Sequence, residues 1–330
     1  MAKPIVAINH PEENISRFYG DDDLERLQQV ADIRIIGDRN TPADDKLADV
    51  TVLMGAWGMR KLDAELLAGA PKLQAVCYSA GSIRGFITDE AWERGLIITS
   101  AWRANAIPVA EVTHALVTLA AKNWFGAMEG MRVGHSDPRV KAAHTGNWAS
   151  IVGLVGFGAI GRLVADRLRS LECTVLVYDP YVDEALLSEL GATRVESLEE
   201  LAARCEILSI HAPNIPATQG MISAEVIAAM PDGATLINTA RPSLIDQEAL
   251  QRELEAGRIK AMLDVTTPEP LPDDHVLRKL PNCWVTPHRA GSTGREVQRM
   301  GRYAIDDCLR ILSGEEPLHR VLPEMMATMA

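Results

Sequence analysis

The sequence has no excess of basic charge, no long apolar run, no paired cysteines and no internal repeat. Lysine and arginine number 33 against 45 aspartates and glutamates, for a formal net charge of −12. Such a surface repels polyanions, so neither nucleic acid nor an anionic membrane is expected as a partner. The opening MAKPIVAIN holds only the short apolar run Ile5–Ile8 before Asn9, too little for a secretory signal. No stretch approaches the ~20 consecutive apolar residues of a spanning helix. The five cysteines (Cys77, Cys173, Cys205, Cys283, Cys308) lie far apart and form no CxxC pair. Free thiols in a reducing, cytoplasmic setting are therefore expected, with no disulfide frame and no metal site.

What is present is ordinary globular composition: 47% hydrophobic and 24% charged residues over 330 positions, enough for two domains with their own cores. Short β-rich runs alternate with helical patterns from end to end. PIVAI (4–8), IRII (33–36), VTVLM (50–54), LQAVC (73–77) and LIIT (96–99) read as strands, separated by helical pieces such as DLERLQQV (23–30) and KLDAELLAGA (61–70). A second series follows: IVGLV (151–155), TVLVY (174–178), EILSI (206–210), ATLIN (234–238), IKAMLDV (259–265) and CWVTP (283–287). Alternation of this kind predicts parallel sheets covered on both faces. Between the two series, residues 105–128 read as one long helix with Pro108 near its first turn. The polar segment 132–148 reads as an arm whose Trp148 anchors it by packing. The helical pattern at 293–312 is long enough to return to the first domain.

Gly156-Phe157-Gly158-Ala159-Ile160-Gly161 is a GxGxxG placed after an apolar strand and at the start of a helical run. Gly156 allows a tight turn, Gly158 a close approach of backbone to a pyrophosphate, and Gly161 close packing of helix on strand. The helix start supplies free N–H groups and a favourable dipole for phosphate. Asp179 ends the next strand, 18 residues past Gly161. An acid there accepts hydrogen bonds from the adenosine ribose and repels a 2′-phosphate, so NAD is expected over NADP.

In an open α/β sheet, ligands bind beyond the carboxyl ends of the strands. Those ends carry Asp179, His211-Ala212-Pro213-Asn214, Asn238-Thr239-Ala240-Arg241, Asp264 and His288, which converge on one crevice. Reduction of a 2-keto acid needs a proton for the developing alkoxide and a cation for the substrate carboxylate. Histidine is the side chain suited to the proton, and arginine's planar fork to the carboxylate. A carboxylate beside the histidine fixes the ring and favours its protonated form. His288, Arg241 and Glu269 are the candidates for these three roles.

The stretches GLVGFGAIG (153–161), LSIHAPNIPATQGMI (208–222), MPDGATLINTARPSLIDQEAL (230–250), LDVTTPEPLP (263–272) and VTPHRAGST (285–293), with NAIPVAE (105–111), resemble the D-isomer-specific 2-hydroxyacid dehydrogenase family. The resemblance implies two doubly wound parallel-sheet domains of α/β class. A Rossmann NAD-binding domain (105–295) would be inserted into a flavodoxin-like substrate/catalytic domain (1–104 and 296–330). It implies that Arg241, Glu269 and His288 are catalytic, with His288 as acid/base, Glu269 tuning it and Arg241 on the substrate carboxylate. It also implies that His211, Ala212, Pro213, Thr218, Thr239, Ala240, Arg241, Asp264, His288 and Gly291 line the NAD site, with Asp264 at the nicotinamide carboxamide. The loop Ser79-Ala80-Gly81-Ser82 resembles the family's substrate loop, whose amides meet the carboxylate.

Three features depart from the family pattern. Pro242 follows Arg241 where glycine is usual, the lead-in at 147–151 is short, and the substrate loop reads AGSIRGF where an acid commonly follows, with Arg84 close by. Glu269 in place of glutamine argues against the formate-type members. The lack of a domain after residue 320 argues against the long, serine-regulated phosphoglycerate dehydrogenases. The expectation is an NAD-dependent oxidoreductase interconverting a small 2-keto acid and its D-2-hydroxy acid, acting as a homodimer. The alternative is an NAD(H)-sensing, corepressor-like scaffold with little catalysis.

Overall fold

The computed structural model describes residues 2–40, 44–132, 134 and 146–329. The chain divides into two compact units, residues 1–105 with 292–330, and residues 106–291.

In the first unit, β1 (Ile5–Asn9), β2 (Asp32–Ile35), β3 (Val50–Gly55), β4 (Ala75–Tyr78) and β5 (Ile97–Ser100) run parallel in the order β5-β4-β3-β1-β2. A two-residue strand, Arg320–Val321, joins antiparallel at the β5 edge and is too short to show a pattern in the sequence. Val6, Ala7 and Ile8 of β1 and Val52, Leu53 and Met54 of β3 are fully buried, as strands covered on both faces require. Helix Glu296–Leu312 covers one face. Its Val297, Met300, Ala304, Ile305 and Cys308 recur at helical spacing and pack on Val6, Ile8 and Phe18. Leu47, Leu62, Ile83 and Phe86 cover the other face. Asn9 pairs with Gly55, Gly55 with Tyr78, and Tyr78 with Ser100, so β1, β3, β4 and β5 end flush at their carboxyl edge.

In the second unit, β6 (Ile151–Val155), β7 (Thr174–Tyr178), β8 (Ala192–Arg194), β9 (Ile207–Ile210), β10 (Thr235–Asn238), β11 (Lys260–Leu263) and β12 (Cys283–Val285) are all parallel. Their order is β12-β11-β10-β9-β6-β7-β8. β8 is an addition to the six strands expected, three residues long with only Ala192 buried. The order reverses between β6 and β9, which opens a crevice at their carboxyl ends.

The helical pattern expected over 105–128 is two helices, Trp102–Ala121 and Trp124–Arg132. Asn123, with φ at 46°, breaks them apart; asparagine enters the left-handed region more readily than other side chains. Because the first helix starts at Trp102, Pro108 lies in its interior. That helix is also long and apolar enough, by length and composition, to cross a membrane, against the expectation that no stretch reaches this. Half of it is buried, with Ala110, Val117 and Ala120 in the second unit's core, and core helices meet the same criterion. The expected polar arm at 132–148 lies mostly outside the described residues. Trp148 is 79% exposed, so it anchors nothing within the described chain.

Candidate active site

The glycine turn after β6 is built around the protein's own backbone. Gly156 has φ at 91°, and a Cβ there would sit 2.8 Å from the Ala212 nitrogen. A Cβ on Gly161 would lie 2.3 Å from the Gly156 carbonyl oxygen. Both positions are closed to any larger residue by internal packing. Gly158 differs: a Cβ there meets nothing within 4 Å, and its φ of −70° suits any residue. The space above Gly158 is open and could cradle a pyrophosphate. It opens onto the first turn of helix Ala159–Leu168, where Ala159, Ile160 and Gly161 have N–H groups without intrahelical acceptors.

Asp179 braces this turn. Its carboxylate accepts from the Phe157 N–H at 2.7 Å and the Tyr181 N–H at 2.9 Å. Each carboxylate oxygen keeps a second lone pair, so ribose hydroxyls can still be accepted. Phe157 offers no side chain to a ligand, since its ring is buried in the core. His211 is buried beneath the turn, with Nε2 at 3.0 Å from Ser209 Oγ and Nδ1 without a partner among the described residues. Burial pushes its pKa down to about 3, so the ring is neutral. Ala212 backs Gly156, and the Thr218 hydroxyl closes the following loop by donating to Pro213 O at 2.5 Å. Thr239 is buried after β10, its Oγ1 at 3.0 Å from Thr113 Oγ1.

Arg241 opens the turn that follows. Asn238, fully buried, accepts from the Ala240 N–H at 3.0 Å and donates through Nδ2 to Arg241 O at 2.9 Å. Pro242 then takes the first position of a short 3-10 turn, where a missing N–H costs nothing. The Arg241 guanidinium donates to Ala240 O at 2.7 Å. Burial lowers its pKa, and the charge of Glu269 opposes that shift.

His288 and Glu269 meet across 19 residues of sequence, with Nδ1 at 2.6 Å from Oε1. An ionised carboxylate only accepts, so Nδ1 carries the proton and Nε2 is the free nitrogen. His288 holds φ at 53°, an uncommon conformation for a non-glycine residue. Asp264, buried at the end of β11, secures that loop. Oδ1 accepts from Thr286 Oγ1 at 2.5 Å and from the Arg289 N–H at 2.7 Å, and Oδ2 from the Ala290 N–H at 2.9 Å. Gly291 follows directly. Gln247 secures the Glu269 loop by accepting from the Thr267 N–H at 2.8 Å and donating to Thr267 O at 2.5 Å. Gln247 is not among the residues expected from sequence, and Asn238, expected at the strand end, acts there as a brace.

In the first unit, Ser79-Ala80-Gly81-Ser82 leaves the end of β4. Ser100 Oγ donates to Ala80 O at 3.0 Å and Gly81 O at 2.5 Å. The N–H groups of Ala80, Gly81 and Ser82 have no acceptor among the described residues. Arg84 donates through Nε and Nη2 to Met329 O, at 3.2 and 2.8 Å, and also bonds Met326 O. It fastens the segment 326–329.

Residues 114–290 match the family model for the D-isomer specific 2-hydroxyacid dehydrogenase, NAD binding domain. This chain belongs to the D-isomer-specific 2-hydroxyacid dehydrogenase family. It is 30% identical to a D-3-phosphoglycerate dehydrogenase of Methanocaldococcus jannaschii over 89% of this chain and 56% of that one. A glyoxylate reductase of Thermofilum pendens is 30% identical over 96% of both chains. The chain spans about half the length of the phosphoglycerate dehydrogenases it matches. Rhodotorula graminis D-mandelate dehydrogenase superposes with a TM-score of 0.82 at 23% identity, covering 97% of this chain and 98% of that one, which shows the shared fold. The two parallel-sheet α/β domains are those of a 2-hydroxyacid dehydrogenase, and the glycine cradle fits the family's use of NAD.

Proposed function

We propose that the protein is an NAD-dependent oxidoreductase interconverting a 2-keto acid and its D-2-hydroxy acid. The observation that carries this reading is the 2.6 Å His288–Glu269 pair, set on the same sheet edge as Arg241 and the glycine cradle. NAD, when bound, supplies or accepts the hydride. His288 Nε2 gives a proton to the carbonyl oxygen in reduction and removes it in oxidation, while Glu269 holds the ring in its working tautomer. Arg241 takes the substrate carboxylate, and its partial burial strengthens the attraction by keeping water away. In the first unit, the unpaired amides of Ala80, Gly81 and Ser82 are donors suited to a carboxylate.

Asp179, Gly156, Phe157 N, Gly158, Ala159, Ile160 and Gly161 form the adenosine and pyrophosphate end of the cofactor site. Asp179 disfavours a 2′-phosphate by like charge. His211 to Pro213, Thr218, Thr239, Ala240, Asp264 and Gly291 shape the rest, Asp264 chiefly by holding the His288 loop. Residues 106–291 are then the cofactor unit, and the first unit carries the loop 79–82. The apolar face of Trp124, Met128 and Met131, each more than half exposed at helical spacing, supports a homodimer. The five free cysteines support a cytoplasmic location, and the net charge of −12 weighs against nucleic-acid or membrane partners.

The test is NADH oxidation with a panel of 2-keto acids, beside NADH binding by fluorescence. Turnover that His288→Ala lowers by roughly 10²–10⁴-fold is expected. Tight NADH binding without turnover of any keto acid would overturn the catalytic reading in favour of a sensing scaffold.

A further inference from the structure

The carboxyl edge of the first unit's sheet carries a ladder of rings that the reaction above does not use. His10 follows β1, Phe18 ends the helical turn Ile15–Phe18, and Trp57 lies two residues past β3. The His10 and Phe18 rings are 4.5 Å apart, and Phe18 and Trp57 meet edge-on at 5.6 Å and 63°. The ladder climbs from buried to open: His10 and Phe18 are enclosed, whereas Trp57 is 42% exposed. The Arg17 guanidinium lies 5.5 Å from the Phe18 centroid and 5.7 Å from that of Trp57. It makes no ion pair among the described residues. Both ring nitrogens of His10 are buried without a partner there, so this ring serves as another flat face.

Position argues for a ligand. The sheet order reverses between β1 and β3, and open sheets bind ligands at such reversals. Gly55 and Tyr78 are paired residues, so the chain leading to Trp57 and the loop Ala80-Gly81-Ser82 leave neighbouring strands side by side, about 5 Å apart. Tyr19, next to Phe18, ties the two together through its hydroxyl, 2.8 Å from Ser79 Oγ.

We propose that Trp57, backed by Phe18 and flanked by Arg17, recognises an aromatic ring on the third carbon of the 2-keto acid, making the substrate an arylpyruvate. This rests on the reading of the 80–82 amides as carboxylate donors. An exposed indole with a cation on the ladder gives a planar ring a stacking face, and offers nothing to glyoxylate, which has no side chain.

The experiment compares wild type, Trp57→Ala, Trp57→Phe and Arg17→Ala on phenylpyruvate, pyruvate, glyoxylate and oxaloacetate, with phenyllactate binding measured by calorimetry. Phenylpyruvate should be the best of the four. The ratio of its kcat/KM to that of glyoxylate should fall about tenfold or more in Trp57→Ala and recover in Trp57→Phe. An unchanged ratio, or oxaloacetate as the best substrate with a selective loss in Arg17→Ala, would overturn the proposal. Should no keto acid turn over, the catalytic reading fails by itself. Phenyllactate affinity then decides this one: weaker binding to Trp57→Ala sustains it, and equal binding or none in wild type overturns it.

Discussion

Gly158→Ala separates the demands of folding from those of the ligand. A methyl at Gly158 meets nothing within 4 Å, and the residue's φ of −70° is open to alanine. Stiffening the unfolded chain favours alanine by about 0.4–1 kcal/mol. Alanine is a poorer helix N-cap than glycine by a similar amount, so the two effects offset within about 1 kcal/mol. For a unit of this size, that is a change in Tm of no more than ~2–4 °C. Gly161→Ala differs, because its methyl would press to 2.3 Å from the Gly156 oxygen. Overpacking of that severity costs about 3 kcal/mol, or roughly 6–12 °C in Tm. Cofactor affinity should fall in both. Displacing a phosphate from the cradle forfeits at least one charge-assisted hydrogen bond, worth about 1.5–3 kcal/mol, or ~10–150-fold in Kd. The assays are calorimetry without dinucleotide, since bound ligand raises Tm by itself, and NADH titration by fluorescence. A Gly158→Ala protein that binds NADH within twofold of wild type would refute the cradle. A loss of Tm equal to that of Gly161→Ala would show that the glycine serves packing.

Glu269→Gln keeps the shape of the acid beside His288 and removes its charge, so kcat for reduction should fall roughly tenfold, the worth of one charge-assisted bond over a neutral one. Stopped-flow hydride transfer reads this directly, and wild-type rates would dissociate the pair. Arg241→Lys keeps the charge and loses the fork, so kcat/KM for the keto acid should drop by ~10-fold or more while NADH affinity holds. Loss of NADH affinity instead would make Arg241 a cofactor ligand. His211, with its pKa lowered to about 3 by burial, links stability to pH. The unfolded chain takes up this proton near pH 6.5 and the folded one near 3. The stabilisation is therefore complete above about 6.5 and drains away as pH falls toward 3. At pH 5 the loss is about 2 kcal/mol, so the stability gap between wild type and His211→Gln should narrow by that amount from pH 7.5. An equal gap at both pH values would contradict a buried neutral ring.

The parts of the site that the sequence reveals are those with a local signature. The GxGxxG shows because Gly156, Gly158 and Gly161 sit within six residues, between an apolar strand and a helix. Asp179, Arg241 and Asp264 show because each ends or follows a β-rich run. The braces lack such a signature. Gln247 grips Thr267 from twenty residues away, at the start of helix Gln247–Glu255, where it looks like any surface amide. Asn238 shows as a strand-end polar residue, but its bonds to Ala240 and Arg241, which make it a brace, do not. β8 and the strand Arg320–Val321 are too short to show alternation. The helix break depends on one left-handed residue, Asn123, inside an otherwise unbroken apolar pattern.

Asp264 shows how the fold turns a strand end into a chemical position. His288 sits at φ 53°, a conformation that costs a non-glycine residue of order 1–3 kcal/mol and persists only when its surroundings impose it. Three donors from residues 286, 289 and 290 bracket the histidine on both sides, and all end on the one buried carboxylate. The His288 N–H adds a fourth tie, to Asp264 O at 2.9 Å. Hydrogen bonds to a charged acceptor are each worth about 1.5–3 kcal/mol, so together they exceed the strain they hold. The imidazole is thereby aimed by its backbone before Glu269 meets it, and the 2.6 Å contact sets the tautomer of a ring already in place. The same economy appears at Asp179, whose carboxylate braces Phe157 and Tyr181 while keeping lone pairs for a ligand. A carboxylate at the end of β7 or β11 builds the loop beside it, and at Asp179 lone pairs are left over that a ligand could use.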